Sequence, residues 1–300
     1  MPPYRSPEAL KRALEARLGQ GRALVSSRRL VVFERFLARV TQVFGHAVIL
    51  KGGLALELRM GRARTTRDVD LRVQGSPEAV LGKLQEAGRL DLADHMRFEI
   101  KPGRALEAEG MPYGGYRFRT ECQLGGRLFG QPFLVDVAFA EPFFGEPDEL
   151  VGHDWLGFAG ISAPRLRLYP VEAHIAEKLH AYSLPRSRTN TRVKDLPDLA
   201  LLGTLKSLQG RTLRAAFEQT FRLRGTHPVP PSLPDPPAEP EARWEPVYAA
   251  MAHENDLPWR SLPEVVAAVR AFLDPVLQER PVSHWSPGRW TWGPGEGGTG

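Results

Sequence analysis

Three carboxylates and a glycine pair are the residues best able to do chemistry. Asp68 and Asp70, in RDVDLRV, lie two apart on an alternating stretch. If that stretch is a strand, both side chains leave the same face. Two like charges about 4 Å apart repel by roughly 4 kcal/mol at an effective dielectric of about 20. Protonation, an arginine or a cation must compensate. A hard divalent ion such as Mg²⁺ or Mn²⁺, bridging to substrate phosphates, is the usual solution in phosphoryl transfer. The plainer alternative is a surface pair neutralised by Arg67 and Arg72. Asp136 supplies a third acid inside the apolar run FLVDVAF. An unpaired Asp on a buried strand is expensive, so it demands either the metal or an arginine.

Elements must hold these groups in place. His46 to Leu50 reads as a strand that stops at Gly52-Gly53, after which Leu54 to Met60 reads as helix. A glycine turn there lets backbone N–H groups approach a phosphate, with a helix N-terminus behind them. Asp68 to Val73 alternates as a strand, and Phe98 to Lys101, Tyr116 to Leu124 and Leu128 to Ala140 read as further strands. Helices are expected over Pro7 to Leu18, Ser27 to Phe44 and Pro77 to Gly88. From Pro164 onward the pattern is helical only: Pro170 to Leu184, Leu196 to Leu208, Thr212 to Leu223 and, beyond a proline-rich stretch, Trp244 to Gln278.

The expected plan is α/β: a nucleotide-handling domain over 1–163 with a mixed sheet, and a helical domain over 164–225. A Pro-rich linker over 226–240, C-terminal helices over 241–280 and a poorly ordered tail over 281–300 complete it.

In the helical part, Lys178 falls on one stripe with Val171, Ile175 and Tyr182 at 100° per residue. A lysine there either snorkels to solvent or reaches an anion. Asp195 precedes Leu196-Pro197-Asp198 and suits a helix N-cap. His174 and His180 lack metal-ligand spacing and are expected to be structural or surface residues.

The bulk numbers set limits. The chain has 300 residues, 42% hydrophobic and 25% charged, with net charge +5 and pI near 9.5. That balance is compatible with nucleic acid and does not prove it. One cysteine permits no intrachain disulfide and suits a reducing compartment. No signal-peptide core or membrane span is visible, so a cytoplasmic protein with no membrane partner is expected.

Lys51-Gly52-Gly53-Leu54-Ala55-Leu56, followed by Arg64-Thr65-Thr66-Arg67-Asp68-Val69-Asp70, resembles the signature of the AbiEii/AbiGii nucleotidyltransferase toxins of type IV toxin–antitoxin systems. Glu177-Lys178-Leu179-His180-Ala181 and Arg192-Val193-Lys194-Asp195-Leu196-Pro197-Asp198-Leu199 resemble that family's second block. The resemblance implies a polymerase-β-type fold with the active site between its domains. It implies Asp68, Asp70 and Asp136 as metal ligands, with Asp195 a further catalytic acid. It also implies nucleotide contacts from Lys51, Gly52, Gly53, Arg64, Thr66 and Lys178. Leu54 departs from the Ser or Thr common after Gly-Gly. An NTP substrate, a tRNA 3′ end as acceptor and a cognate antitoxin that need not touch the toxin are implied likewise. A small-molecule nucleotidyltransferase and an inactive binding module stay open as alternatives.

Overall fold

The computed structural model describes residues 4–61, 66–106, 114–139, 142–186, 190–237 and 243–294. Arg64 lies outside them. The chain divides into two compact units, one of residues 1–55, 66–141 and 147–168, the other of 56–65, 142–146 and 169–300.

The first unit opens with α1 (Pro7–Glu15), whose N-cap Ser6 accepts from the Ala9 N–H at 3.1 Å. The long α2 (Gly21–Phe44) starts six residues before the expected Ser27. Strand β1 (Val48–Lys51) runs straight into α3 (Gly52–Met60), followed by β2 (Asp68–Val73) and α4 (Pro77–Arg89). Strands β3 (Met96–Ile100), β4 (Arg104–Ala105), β5 (Gly115–Leu124), β6 (Arg127–Leu128) and β7 (Phe133–Phe139) come next. The single strand expected over 128–140 is therefore two, with Gly130 at φ +82° between them.

Two short strands, β8 (Asp148–Val151) and β9 (Arg165–Leu168), were not legible in the sequence. The expectation of helices alone after Pro164 is corrected at β9. Four residues with alternating arginines carry too weak a period to read.

The strands form one mixed sheet in the order β3-β5-β7-β2-β1-β9-β8, with β4 and β6 paired to β5. The β2–β7 and β1–β9 pairs are parallel. One face carries Val69, Leu71, Val135, Val137, Phe118 and Phe98, all buried. Residues of α2 pack there: Phe36 meets Phe98 and Phe133 at ring-centroid distances of 5.4 and 5.5 Å. Arg39 and Arg35 are tied to the fully buried Asp94 at 2.5 and 2.8 Å. Burial pushes the Asp94 carboxyl up, but the two guanidiniums more than offset it and hold it below its ordinary value.

The second unit contains α5 (Val171–Ser183), α6 (Asp195–Thr204), α7 (Gly210–Arg224), α8 (Trp244–Glu254) and α9 (Leu262–Leu277). They share a core that includes Ile175, Leu199, Phe217 and Phe272. Residues 227–237 of the proline-rich stretch form neither helix nor strand, and the stretch is packed. Leu233 is buried, its N–H donates to Asp274 at 2.7 Å, and the Tyr182 hydroxyl donates to the Pro234 carbonyl at 3.0 Å.

The expectation of a poorly ordered tail is corrected for residues 282–294, which form the antiparallel hairpin β10 (Val282–Ser286) and β11 (Thr291–Pro294). Trp285 is fully buried and donates to the Gly203 carbonyl at 2.7 Å. Trp290 and Trp292 donate to the carbonyls of Ala268 and Phe272 at 3.0 and 2.7 Å. Large aromatic area with a satisfied N–H explains why this segment folds back.

Candidate functional site

In the first unit, hydrogen-bonded neighbours across four strand pairs place a row of charges on one sheet face. Lys51 of β1 is opposite Asp70 of β2, Asp70 is beside Asp136 of β7, Asp136 is opposite Arg117 of β5, and Arg117 is opposite Arg104 of β4. Register partners project to the same side, and adjacent strands lie about 4.8 Å apart. Asp68, two residues before Asp70, shares that face. The row reads cation, acid, acid, cation, cation.

Arg117 grips Asp136 in a two-pronged pair, Nε to Oδ1 at 2.7 Å and Nη2 to Oδ2 at 2.6 Å. That bond holds the guanidinium above its ordinary value, and the Asp68 and Asp70 carboxylates add to the effect. Of the two partners open to Asp136 from its sequence, the arginine is thus present. Nothing in the sequence flagged Arg117, because strand register links it to Asp136.

Gly52 joins the glycine pair to the acids. Its φ is +66°, and a Cβ built on it would meet the Asp70 side chain, 2.6 Å from Cγ and closer to Oδ2. Only glycine lets Asp70 rest against the first turn of α3, where backbone N–H groups and the helix dipole favour negative charge. Leu54 is fully buried in that helix. Thr66 is buried too, its carbonyl accepting from Arg29 at 2.7 Å.

The second unit holds its own charged cluster. Lys178 donates to Asp195 Oδ1 at 2.9 Å and to Asp198 Oδ2 at 2.7 Å. The two aspartates are 0% and 1% exposed, and Lys178 14%. Burial lowers the Lys178 pKa, but the two carboxylates outweigh it and raise the ammonium above its ordinary value. Lys178 therefore meets carboxylates of its own unit rather than snorkelling. Asp195 is the first residue of α6 and not its N-cap, so its carboxylate is spent on Lys178. Its second oxygen, Oδ2, has no hydrogen bond, and the nearest cation there is Arg192 at 3.8 Å. Asp198 was visible only as part of a motif; its place beside Lys178 comes from α5 packing on α6.

His174 is buried with no protein group on either ring nitrogen, and burial, helped by Lys178 and Arg59, pushes its pKa down to about 3. Burial pushes His180 down to about 4. Neither is a surface group.

Among the described residues, no three His, Cys, Asp or Glu side chains form a set ready to hold a metal. None of the described helices is long and apolar enough to cross a membrane.

The mixed α/β fold, with its mixed sheet and helices, matches that of a nucleotidyltransferase toxin. MenT4, the nucleotidyltransferase toxin of Mycobacterium tuberculosis H37Rv, matches with a TM-score of 0.52 at 18% identity, over 96% of this chain and 93% of MenT4. JHP933 from Helicobacter pylori matches with a TM-score of 0.40 at 16% identity, over 64% of this chain and 74% of that one. No curated protein matches the sequence. The chain belongs to the AbiEii nucleotidyl transferase toxin family of type IV toxin–antitoxin systems, whose model matches residues 35–274.

Proposed function

We propose that this chain transfers a nucleotidyl group from an NTP to a hydroxyl of an RNA acceptor, with a tRNA 3′ end as the acceptor to test first. The acceptor oxygen forms the new bond to the α-phosphorus, pyrophosphate leaves, and the hydroxyl proton passes to a base. The observation that carries the reading is the seating of Asp70 against Gly52, which brings the Asp68–Asp70 pair to the opening turn of α3.

A hard cation such as Mg²⁺ or Mn²⁺ fits Asp68 and Asp70, two carboxylates on one face of β2. Asp136, each of whose oxygens accepts one bond from Arg117, keeps a lone pair on each for a third bond to the ion. A divalent ion bound at Asp68 and Asp70 supplies charge neutralisation for the transferred phosphoryl group. The chain itself supplies the rest. N–H groups at Gly52 and Gly53 receive triphosphate oxygens, Lys51 and Thr66 flank them, the family resemblance adds Arg64 to the nucleotide contacts, and Arg117 holds Asp136 in orientation.

For the second unit, we assign Lys178 to nucleotide binding and Asp195 to proton acceptance through Oδ2, as the family resemblance implies. The support is the buried Oδ2 atom, which makes no hydrogen bond, and the resemblance of the block that contains both residues to the family's second block. A cognate antitoxin acting without direct contact belongs to the same reading.

Incubation with labelled NTPs, Mg²⁺ and total tRNA tests it. Label should enter tRNA with the parent and not with Asp68→Asn. Label confined to small molecules would overturn the RNA acceptor and favour a small-molecule nucleotidyltransferase.

A further inference from the structure

On the same face as the acid row, the sheet continues into a strip of cations along its β5–β3 edge. Lys101 donates its N–H to the Arg119 carbonyl, so the two lie side by side, and Arg97 is opposite Gln123 further along the same two strands. Arg104 begins the strip, next to Arg117. Arg119 and Lys101 are 59% and 45% exposed, and both lean on Glu121, at 3.4 and 3.3 Å. Arg97, Arg104 and the neighbouring Arg89 at the end of α4 are exposed and pair with no carboxylate among the described residues. On the acid-row face, four cations, Arg104, Lys101, Arg119 and Arg97, thus stand with two acids, Glu99 and Glu121.

A cleft of about 470 Å³ opens beside this edge, lined by Gln85 and Arg89 of α4 and by Arg97, Glu99, Lys101 and Pro102. Its size is within the range of about 300–1,000 Å³ typical of small-ligand clefts. Exposed cations at its edge suit the phosphates of a nucleic-acid strand.

We propose that this strip and cleft receive the phosphate backbone of the acceptor RNA, leading its end toward Asp68 and Asp70. The inference rests on the nucleotidyl-transfer reading above. Charge complementarity selects the occupant. An RNA strand carries a phosphate at every step, and the strip presents cations at Arg104, at the Lys101–Arg119 pair and at Arg97, with the Glu99–Glu121 pair between the last two. Arg117 is not part of the strip, since it is committed to Asp136.

The test is the full-length triple variant Arg97→Glu, Lys101→Glu, Arg119→Glu, whose side chains are exposed. Binding of a labelled single-stranded RNA oligonucleotide is followed by anisotropy across a salt series, with transfer kinetics alongside. Three lost phosphate contacts should flatten the slope of log affinity against log salt by about 2, at about 0.7 per contact. The KM for RNA should rise at least about tenfold, with kcat and the KM for NTP unchanged. Equal RNA affinity and slope in parent and variant would overturn the strip alone. A parent that binds no RNA, or binds acidic peptide in its place, would overturn both the strip and the RNA acceptor.

Discussion

The Asp70 side chain lies where a Cβ on residue 52 would have to be, so the glycine motif and the acidic motif are one structural unit. Gly52→Ala should push Asp70 off the α3 terminus and strain a positive φ. The expected cost is about 1–3 kcal/mol of stability and about a hundredfold in transfer rate, the loss typical of a misplacement near 1 Å. Thermal unfolding and labelled-NTP turnover measure the two. An active, equally stable variant would break the link between the motifs.

Lys178 neutralises two buried aspartates, so its loss should cost far more than a surface ion pair. Lys178→Met is expected to destabilise by about 3–5 kcal/mol. Adding Asp195→Asn and Asp198→Asn should restore much of that stability without restoring transfer. Urea midpoints distinguish this from a simple loss of packing, which the added substitutions would not repair.

The legibility of the site divides along the same lines. Asp68 and Asp70 were readable because a period of two puts both on one face whatever the neighbours are. Gly52 was readable as a turn, but its closeness to Asp70 depends on β1 pairing antiparallel to β2. Arg117 was silent because its meaning lies in the β5–β7 register. Asp195 looked like a cap because local sequence cannot show Lys178 one helix away. In the fold, long periodic helices were legible with ends displaced by up to six residues, whereas β8 and β9 are too short to carry a period. The tail was misread because its glycines and prolines resemble a loop, while its tryptophans find the core only in three dimensions.

Trp285 and the hairpin that carries it should therefore be structural. Trp285→Ala removes a fully buried indole and orphans the Gly203 carbonyl, at an expected cost of about 3–5 kcal/mol. Ending the chain at Pro281 should be at least as damaging. Unchanged denaturation midpoints would return the segment to the status of a dispensable tail.

His174 and His180 give the pH dependence a definite sign. Their native pKa values, about 3 and about 4, lie below the unfolded value of about 6.5. Above pH 6.5 both states are neutral and the fold keeps its full stability. As pH falls through that value the unfolded chain takes up protons first, so stability is lost down to about pH 4, by about 1.4 kcal/mol per pH unit per histidine. His174→Leu should remove one histidine's share of that slope and raise stability at pH 7, since no protein group bonds either ring nitrogen. Denaturation at pH 7 and pH 5 checks both; a less stable variant with the parent's slope would contradict them.

The parallel pairing of β2 with β7 also bears on how the protein is made. Asp70 leaves the ribosome long before Asp136, with β3 to β6 synthesised between them, and β1 must wait longer still for β9. Domains fold as units while synthesis proceeds at about 5–20 residues per second. A nascent or truncated chain that stops short of Phe139 has the two acids of β2 paired to β1 alone, with β7 missing from their other side. For a member of a toxin family, interrupted translation should release inert fragments, and the hazard begins only when the sheet can close around the finished strand order.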